Sequence, residues 1–199
     1  MAAREMNKIK ALTLTSALLL AACGAAPAPE APLQGATMGG AFSLVDQNSR
    51  RVTDRDFAGQ YRLVYFGFSY CPDVCPVDLA QLAKGLKAFE QSDPARAARV
   101  VPIFITVDPA RDTPAELKKF AAAFHPRLVA LTGTEAEIAA TAKRYAVAFS
   151  RQPGATAGTY TVDHSRMAVL YGPDGAPIAI VPHDEGPAAA AKVLDQWVS

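Results

Sequence analysis

RLVYFGFSYCPDVCP, residues 62–76, decides the fold. Leu63, Val64, Tyr65, Phe66 and Phe68 make a short, nearly continuous apolar and aromatic run of the kind buried on both faces of a sheet. Two cysteines follow at once. Cys71 and Cys75 each precede a proline, and the residue before proline is pushed away from helical dihedrals. The pattern therefore predicts both thiols in a turn, with Pro76 as the first residue of a helix. The N-terminus of that helix carries a positive partial charge that favours thiolate over thiol. Four-residue spacing allows the two sulfurs to meet as a disulfide or to bind one metal ion, and both readings stay open at this point.

Working outward, the residues after Pro76 carry apolar side chains at Leu79, Leu82, Ala83, Leu86 and Phe89, the three-and-four spacing of one helical face. Upstream, Phe42, Leu44, Val52 and Phe57 predict a small hairpin with Asp46 to Ser49 as its turn. Downstream, Arg99 to Val107 reads as a second core strand and residues 108–114 as the loop at its end. Thr113, Pro114 and Glu116 form a capping box with proline at the first helical position, and the helix runs to about Phe124. Asp108, Arg111 and Asp112 are not explained by that cap and read as a charge-paired loop shaping the edge of the site.

Arg127 to Leu131 predicts a short strand, and Thr134 with Glu137 a second capping box before a helix reaching Tyr145. Residues 150–160 are rich in Gly, Thr and Ala without a hydrophobic period and read as a loop. Met167 to Tyr171 and Ile178 to Val181 form a hairpin about Pro173-Asp174-Gly175, and Ala188 to Val198 closes as a helix. Alternating strands and helices imply an α/β domain with a mainly parallel sheet. The order is that of a thioredoxin-like fold, enlarged by an N-terminal hairpin and by an inserted strand and helix at 127–145. No internal repeat is visible.

The 199 residues suffice for one domain of ordinary size plus a tail. Arg4, Lys8 and Lys10 precede an uncharged apolar run from Ala11 to Ala22, too short to span a bilayer, so residues 1–22 read as a secretory signal. Met6 is a possible alternative start. Leu20-Ala21-Ala22-Cys23 is similar to the lipobox of bacterial lipoproteins, which implies cleavage before Cys23, lipid on its sulfur, and an anchor on the exported, periplasmic side of the bacterial cell envelope. Residues 23–38, rich in Ala, Pro and Gly, read as a flexible tether to a domain at 39–199. Loss of residues 1–22 removes three basic residues and one acidic one. That leaves 17 Lys and Arg against 18 Asp and Glu, a net charge of −1 that offers nothing to nucleic acid.

His164 is the candidate third ligand. His125 beside Pro126 and His183 beside Asp184 read as structural histidines, whereas His164 lies just before the strand at 167–171. In a thioredoxin-like domain the loop entering that strand faces the two-cysteine turn. Two thiolates and one imidazole suit copper, and structural zinc would ask for a fourth protein ligand that no further Cys or His supplies.

The sequence also resembles the Sco/SenC family of copper chaperones over about residues 39–175. TDRDFA at 53–58 leads into LVYFGFSYCPDVCP, and FITVDPARDTP, FHPRLVALTG and YTVDHS follow in the family's order. The resemblance implies a thioredoxin-like fold and a site of Cys71, Cys75 and His164 that binds Cu(I) or Cu(II). It also implies delivery to the binuclear copper centre of cytochrome c oxidase subunit II, with other envelope copper or thiol-redox proteins as partners. Ser49 stands at a turn position where the family often has glycine, and a lipid anchor would replace the transmembrane helix of many members. Asp73 and Asp163 flank the ligands, where they could orient them or simply serve the turn and the loop. Two other readings compete. Cys71 and Cys75 could cycle as a thiol-disulfide oxidoreductase that reduces the target's cysteines, leaving His164 dispensable. The turn is also similar to peroxiredoxin sites, where one thiolate attacks peroxide and the other resolves the sulfenic acid.

Overall fold

The computed structural model describes residues 30–199, so the expectations for residues 1–22 and for Cys23 lie outside the described residues. Strand β3 (Tyr61–Gly67) is buried along its whole length and occupies the interior of a seven-stranded sheet. Its parallel neighbour is β4 (Val100–Thr106), with Tyr65 opposite Phe104, and β4 in turn pairs in parallel with β5 (Val129–Thr132). Antiparallel strands finish both sides of this parallel core. On one side β8 (Ala168–Tyr171) and β9 (Pro177–Ile180) form the expected hairpin. On the other, β1 (Ser43–Asp46) pairs with β5 and carries β2 (Arg51–Thr53) at the edge, so the N-terminal hairpin extends the sheet.

The sheet is covered on both faces, as a fully apolar β3 requires. Helix α1 (Val74–Ser92) buries Cys75, Asp78, Leu79, Leu82, Leu86 and Phe89, the stripe its spacing predicts with one carboxylate set into it. It lies against α5 (Pro187–Trp197), and the approach is close at Gly85, where a Cβ would come within 2.7 Å of the Ala190 Cβ. After the short helix α2 (Pro94–Ala97) and β4 comes α3 (Pro114–Ala122), whose Phe120 stacks obliquely on Phe104 with centroids 4.9 Å apart. The opposite face takes α4 (Glu135–Arg144), whose C-terminal Tyr145 meets Phe66 at 5.7 Å. This is a thioredoxin-like fold with an N-terminal hairpin and with β5 and α4 as the inserted strand and helix.

The two helix caps differ. Thr134 and Glu137 satisfy each other's backbone amides in a full capping box. Thr113 accepts the Glu116 amide, but Glu116 turns its carboxylate to Lys119 at 2.9 Å, so only half of the expected box forms.

Two local expectations are corrected. Cys75 is inside the first turn of α1, not in the preceding turn, because the first amides of a helix lack carbonyl partners and Pro76 costs no hydrogen bond there. Residues 150–160 are not a loop throughout: β6 (Phe149–Pro153) and β7 (Tyr160–His164) pair antiparallel as a separate two-stranded sheet. Most of the β6 side chains are exposed, so the strand has no buried face to impose a two-residue apolar period. Of the segment read as a tether, residues 30–38 are described. The Leu33 amide donates to the Ile178 carbonyl at 3.0 Å, and Leu33 and Met38 pack on the core. Among the described residues no helix is long and apolar enough to cross a membrane.

The β1–β2 turn is tied by Asp46, whose Oδ1 accepts the Asn48 and Arg50 amides at 2.8 and 2.9 Å. Ser49 there has φ of 62°, a left-handed conformation that strains any residue with a Cβ. Ser49→Gly should stabilise the fold by about 1 kcal/mol, a rise of about 2–4 °C in thermal unfolding for a domain of this size. An unchanged or lowered midpoint would show that the turn carries no such strain.

Candidate metal centre

The end of β3 delivers the first sulfur. The Cys71 amide donates to the Phe68 carbonyl at 3.3 Å, curling residues 68–71 over the start of α1. Asp73 occupies the N-cap position without a side-chain cap, and the Cys71 sulfur instead accepts the Cys75 amide at 3.4 Å. Cys71 therefore sits where a helix N-terminus attracts negative charge. It is partly exposed, whereas Cys75 is buried.

The third group arrives from the far end of the chain. His164 ends β7, and its Nε2 lies 3.0 Å from the Cys75 sulfur. Its Nδ1 donates to the Ser165 carbonyl at 3.0 Å, which leaves the Nε2 lone pair facing the thiol. Tyr65 and Phe68 set their rings edge-on to the imidazole at 6.2 and 6.1 Å. Burial lowers the His164 pKa, so the ring is held neutral, as a ligand must be. Burial also pushes the Cys75 thiol up to about 12, with the neighbouring Cys71 adding to it. The helix N-terminus that the sequence offers as a thiolate stabiliser is outweighed at Cys75 by desolvation.

The three groups form a chain of contacts, Cys71 to Cys75 to His164, and not a closed cage. Among the described residues no three His, Cys, Asp or Glu side chains already surround one point. Cys71 and His164 line an open groove of about 390 Å³ with Phe68, Pro72 and Thr161, and Asp73 and Asp163 border it, while Cys75 is buried out of the lining.

The loop at 108–112 is the brace that joins the two halves of the site. Buried Asp112 accepts from the Ser69 amide and hydroxyl and from Thr106 Oγ1, pinning the cysteine turn to the end of β4. Buried Asp108 accepts from the Tyr160 hydroxyl at 2.8 Å and pairs with Arg111. The Arg111 guanidinium lies over the Tyr160 ring at 3.9 Å and also reaches the rings of Phe68 and Tyr70. The β6–β7 hairpin is thereby clamped beside the cysteines, as the charge-paired loop reading anticipates.

Sequence reasoning does not single out Asp78 or Arg166, and it reads Tyr65 only as a core residue and His183 only as a structural histidine. Asp78 is buried on α1 and accepts Arg166 Nε and Nη2 at 2.8 and 2.6 Å and the Tyr65 hydroxyl at 2.8 Å. His183 stands 3.4 Å from the same carboxylate and edge-on to Tyr65 at 5.6 Å. The available signal is a carboxylate in phase with the apolar stripe of α1. His125 behaves as the structural residue expected, between Glu90 and the Arg127 amide.

Fold and site together define a thioredoxin-like domain in which two cysteines and a histidine are brought into contact. The chain belongs to the SCO1/SenC family, whose sequence model matches residues 30–199. It is 43% identical over 146 residues to the mitochondrial SCO2 homolog of Bos taurus, covering 73% of this chain and 54% of that protein. Against the human mitochondrial SCO1 homolog it is 40% identical over 138 residues, 69% of this chain and 45% of the other. The chain thus spans about half the length of the curated relatives it matches. Among solved structures, Bradyrhizobium japonicum ScoI with copper bound superposes with a TM-score of 0.72 at 38% identity, covering 80% of this chain and 99% of that one. Yeast Sco1 with copper bound gives 0.73 at 35% identity, covering 81% and 88%.

These relatives correct one expectation. The bovine, human and Saccharomyces cerevisiae relatives are named as mitochondrial, which speaks against the bacterial cell envelope expected from residues 1–23. A short basic segment before an apolar run does not by itself specify a compartment.

Two outcomes follow from the geometry. At about neutral pH an alkylating reagent should label Cys71 well ahead of Cys75, read by peptide mass mapping, because only the thiolate reacts and Cys75 is both buried and held protonated. Equal rates would contradict that asymmetry. The second concerns acid. Burial opposes ionisation of Asp78, yet Arg166 and the Tyr65 hydroxyl hold its carboxyl below the ordinary 3.8. Its contribution to stability is therefore complete above the unfolded value and is lost as pH falls through the lower folded one. Asp78→Asn should flatten the acid limb of the stability profile in that window, and an unaltered limb would mean that other carboxylates carry it.

Proposed function

We propose that this protein is a copper chaperone of cytochrome c oxidase assembly, a metallochaperone and not an enzyme. It binds one copper ion, Cu(I) or Cu(II), through Cys71, Cys75 and His164, and passes it by ligand exchange to the binuclear copper centre of subunit II. The observation that carries this reading is the 3.0 Å approach of His164 Nε2 to the Cys75 sulfur, with Nδ1 occupied by the Ser165 carbonyl. That tautomer presents a lone pair to an ion shared with the thiolates. Two sulfurs and one imidazole form a soft, low-coordination donor set suited to copper. The copper-bound structures within the family support the choice of ion. The partly exposed Cys71 beside an open groove gives an incoming thiolate or imidazole a route to the cargo.

A second reading rests on the unequal exposure of the two cysteines. An accessible Cys71 poised against the amide of buried Cys75 is arranged to take part in thiol-disulfide exchange, with Cys75 resolving the mixed disulfide. Reduction of the target's cysteines before metallation would use the same pair.

One titration separates the two. Reduced protein titrated anaerobically with Cu(I) against a chromophoric chelator should take up one tight equivalent. His164→Ala and Cys71→Ser should each weaken it by at least about tenfold, ~1.4 kcal/mol. Unchanged affinity in His164→Ala would remove the three-ligand site and leave the cysteine pair as a redox centre.

A further inference from the structure

We propose that Asp78 and Arg166 form a positioning pair that sets where the His164 imidazole stands relative to Cys75, and so controls the third copper ligand. This rests on the reading of Cys71, Cys75 and His164 as the copper-binding set.

The argument begins with placement in the chain. Asp78 follows Cys75 by three residues on α1, so both side chains leave the same buried face of the helix. Arg166 follows His164 by two residues in the segment that leads from β7 into β8. The helix and that segment are therefore joined twice, side by side. One joint is Cys75 to His164 at 3.0 Å; the other is the two-point contact of the Asp78 carboxylate with the Arg166 guanidinium at 2.8 and 2.6 Å. A bidentate pair fixes orientation as well as distance, because two planar groups must lie in register.

The carboxylate is itself immobilised. The Tyr65 hydroxyl donates to the Asp78 oxygen that also receives Arg166 Nε, and the Asp78 side chain is 3% exposed. Tyr65 transmits this to the ligand from below, since its ring stands edge-on to His164. The end of β7 that carries His164, and the segment that follows it, are thus held from both sides. The Ser165 carbonyl sets the rotation of the ring, and Arg166 sets the height of that segment above α1. Loss of the pair frees the His164 end of β7 to shift relative to α1, while the Tyr160 end stays held at the Asp108 clamp.

The test uses the full chain loaded with Cu(II) and read by electron paramagnetic resonance, beside the Cu(I) competition titration. Arg166→Ala removes the pair, and Arg166→Lys restores charge without the second contact point. The double variant Asp78→Asn with Arg166→Ala leaves no unpaired buried charge and so separates positioning from stability. Arg166→Ala and the double variant should bind Cu(I) about tenfold more weakly. The parent Cu(II) form should show the single nitrogen coupling of one fixed imidazole, and these variants a broadened mixture, even where the double variant melts like the parent. Arg166→Lys should recover only part of both. A double variant with parental affinity and spectrum would show that the pair serves only the fold and would overturn the proposal. His164→Ala run alongside keeps the two failures apart. If that variant also binds like the parent, the ligand set itself is wrong; if it alone is weakened, only the positioning role falls.

Discussion

The contact between Cys75 and His164 joins the two ends of the domain, and most of the architecture works to keep it. Eighty-nine positions separate the two residues, and nothing local holds them together. Cys75 is fixed because β3 is buried on both faces and can deliver the chain to the start of α1 in only one way. His164 is fixed because β7 ends beside the cysteine turn and its neighbours are tied down: Tyr160 to Asp108 on one side, Arg166 to Asp78 on the other.

That arrangement sets the chemistry by burial as much as by charge. A helix N-terminus favours thiolate, but Cys75 is deep enough for desolvation to dominate, and the partly exposed Cys71 takes the position at the helix end. The same burial keeps His164 neutral, and its hydrogen bond to Ser165 selects the tautomer. A thiol and an imidazole are held at hydrogen-bonding distance with the proton between them, and in the proposed copper site a metal ion would take that proton's place.

Polar groups buried around the site explain why the loops can be both irregular and ordered. Asp108 and Asp112 are fully buried yet satisfied, Asp112 by Ser69 and Thr106 and Asp108 by Tyr160 and Arg111. Each such carboxylate collects donors from separate segments, so removing one would leave several groups without partners. The aromatic rings around Arg111 add a second hold on the same segments.

The sequence by itself determined the core strand that begins near Leu63, the amphipathic α1 and the capped α4, and it nominated Cys71, Cys75 and His164 as ligands. Each of these is local or carried by a contiguous motif: an apolar run, a three-and-four spacing, a Thr and Glu three residues apart, a resemblance in unbroken segments. Only the tertiary structure decided the rest. The β6–β7 hairpin has no apolar alternation to announce it, because one of its strands is almost entirely solvent-facing. Cys75 entered the helix because the amides of a first turn need no carbonyl partner, which a rule about residues before proline does not capture. Asp78 and Arg166 acquire meaning only when a helix and a loop far apart in sequence are brought within hydrogen-bonding distance. A pattern along the chain reports what each segment buries; which buried charges face one another is settled by the packing of segments that the pattern treats separately.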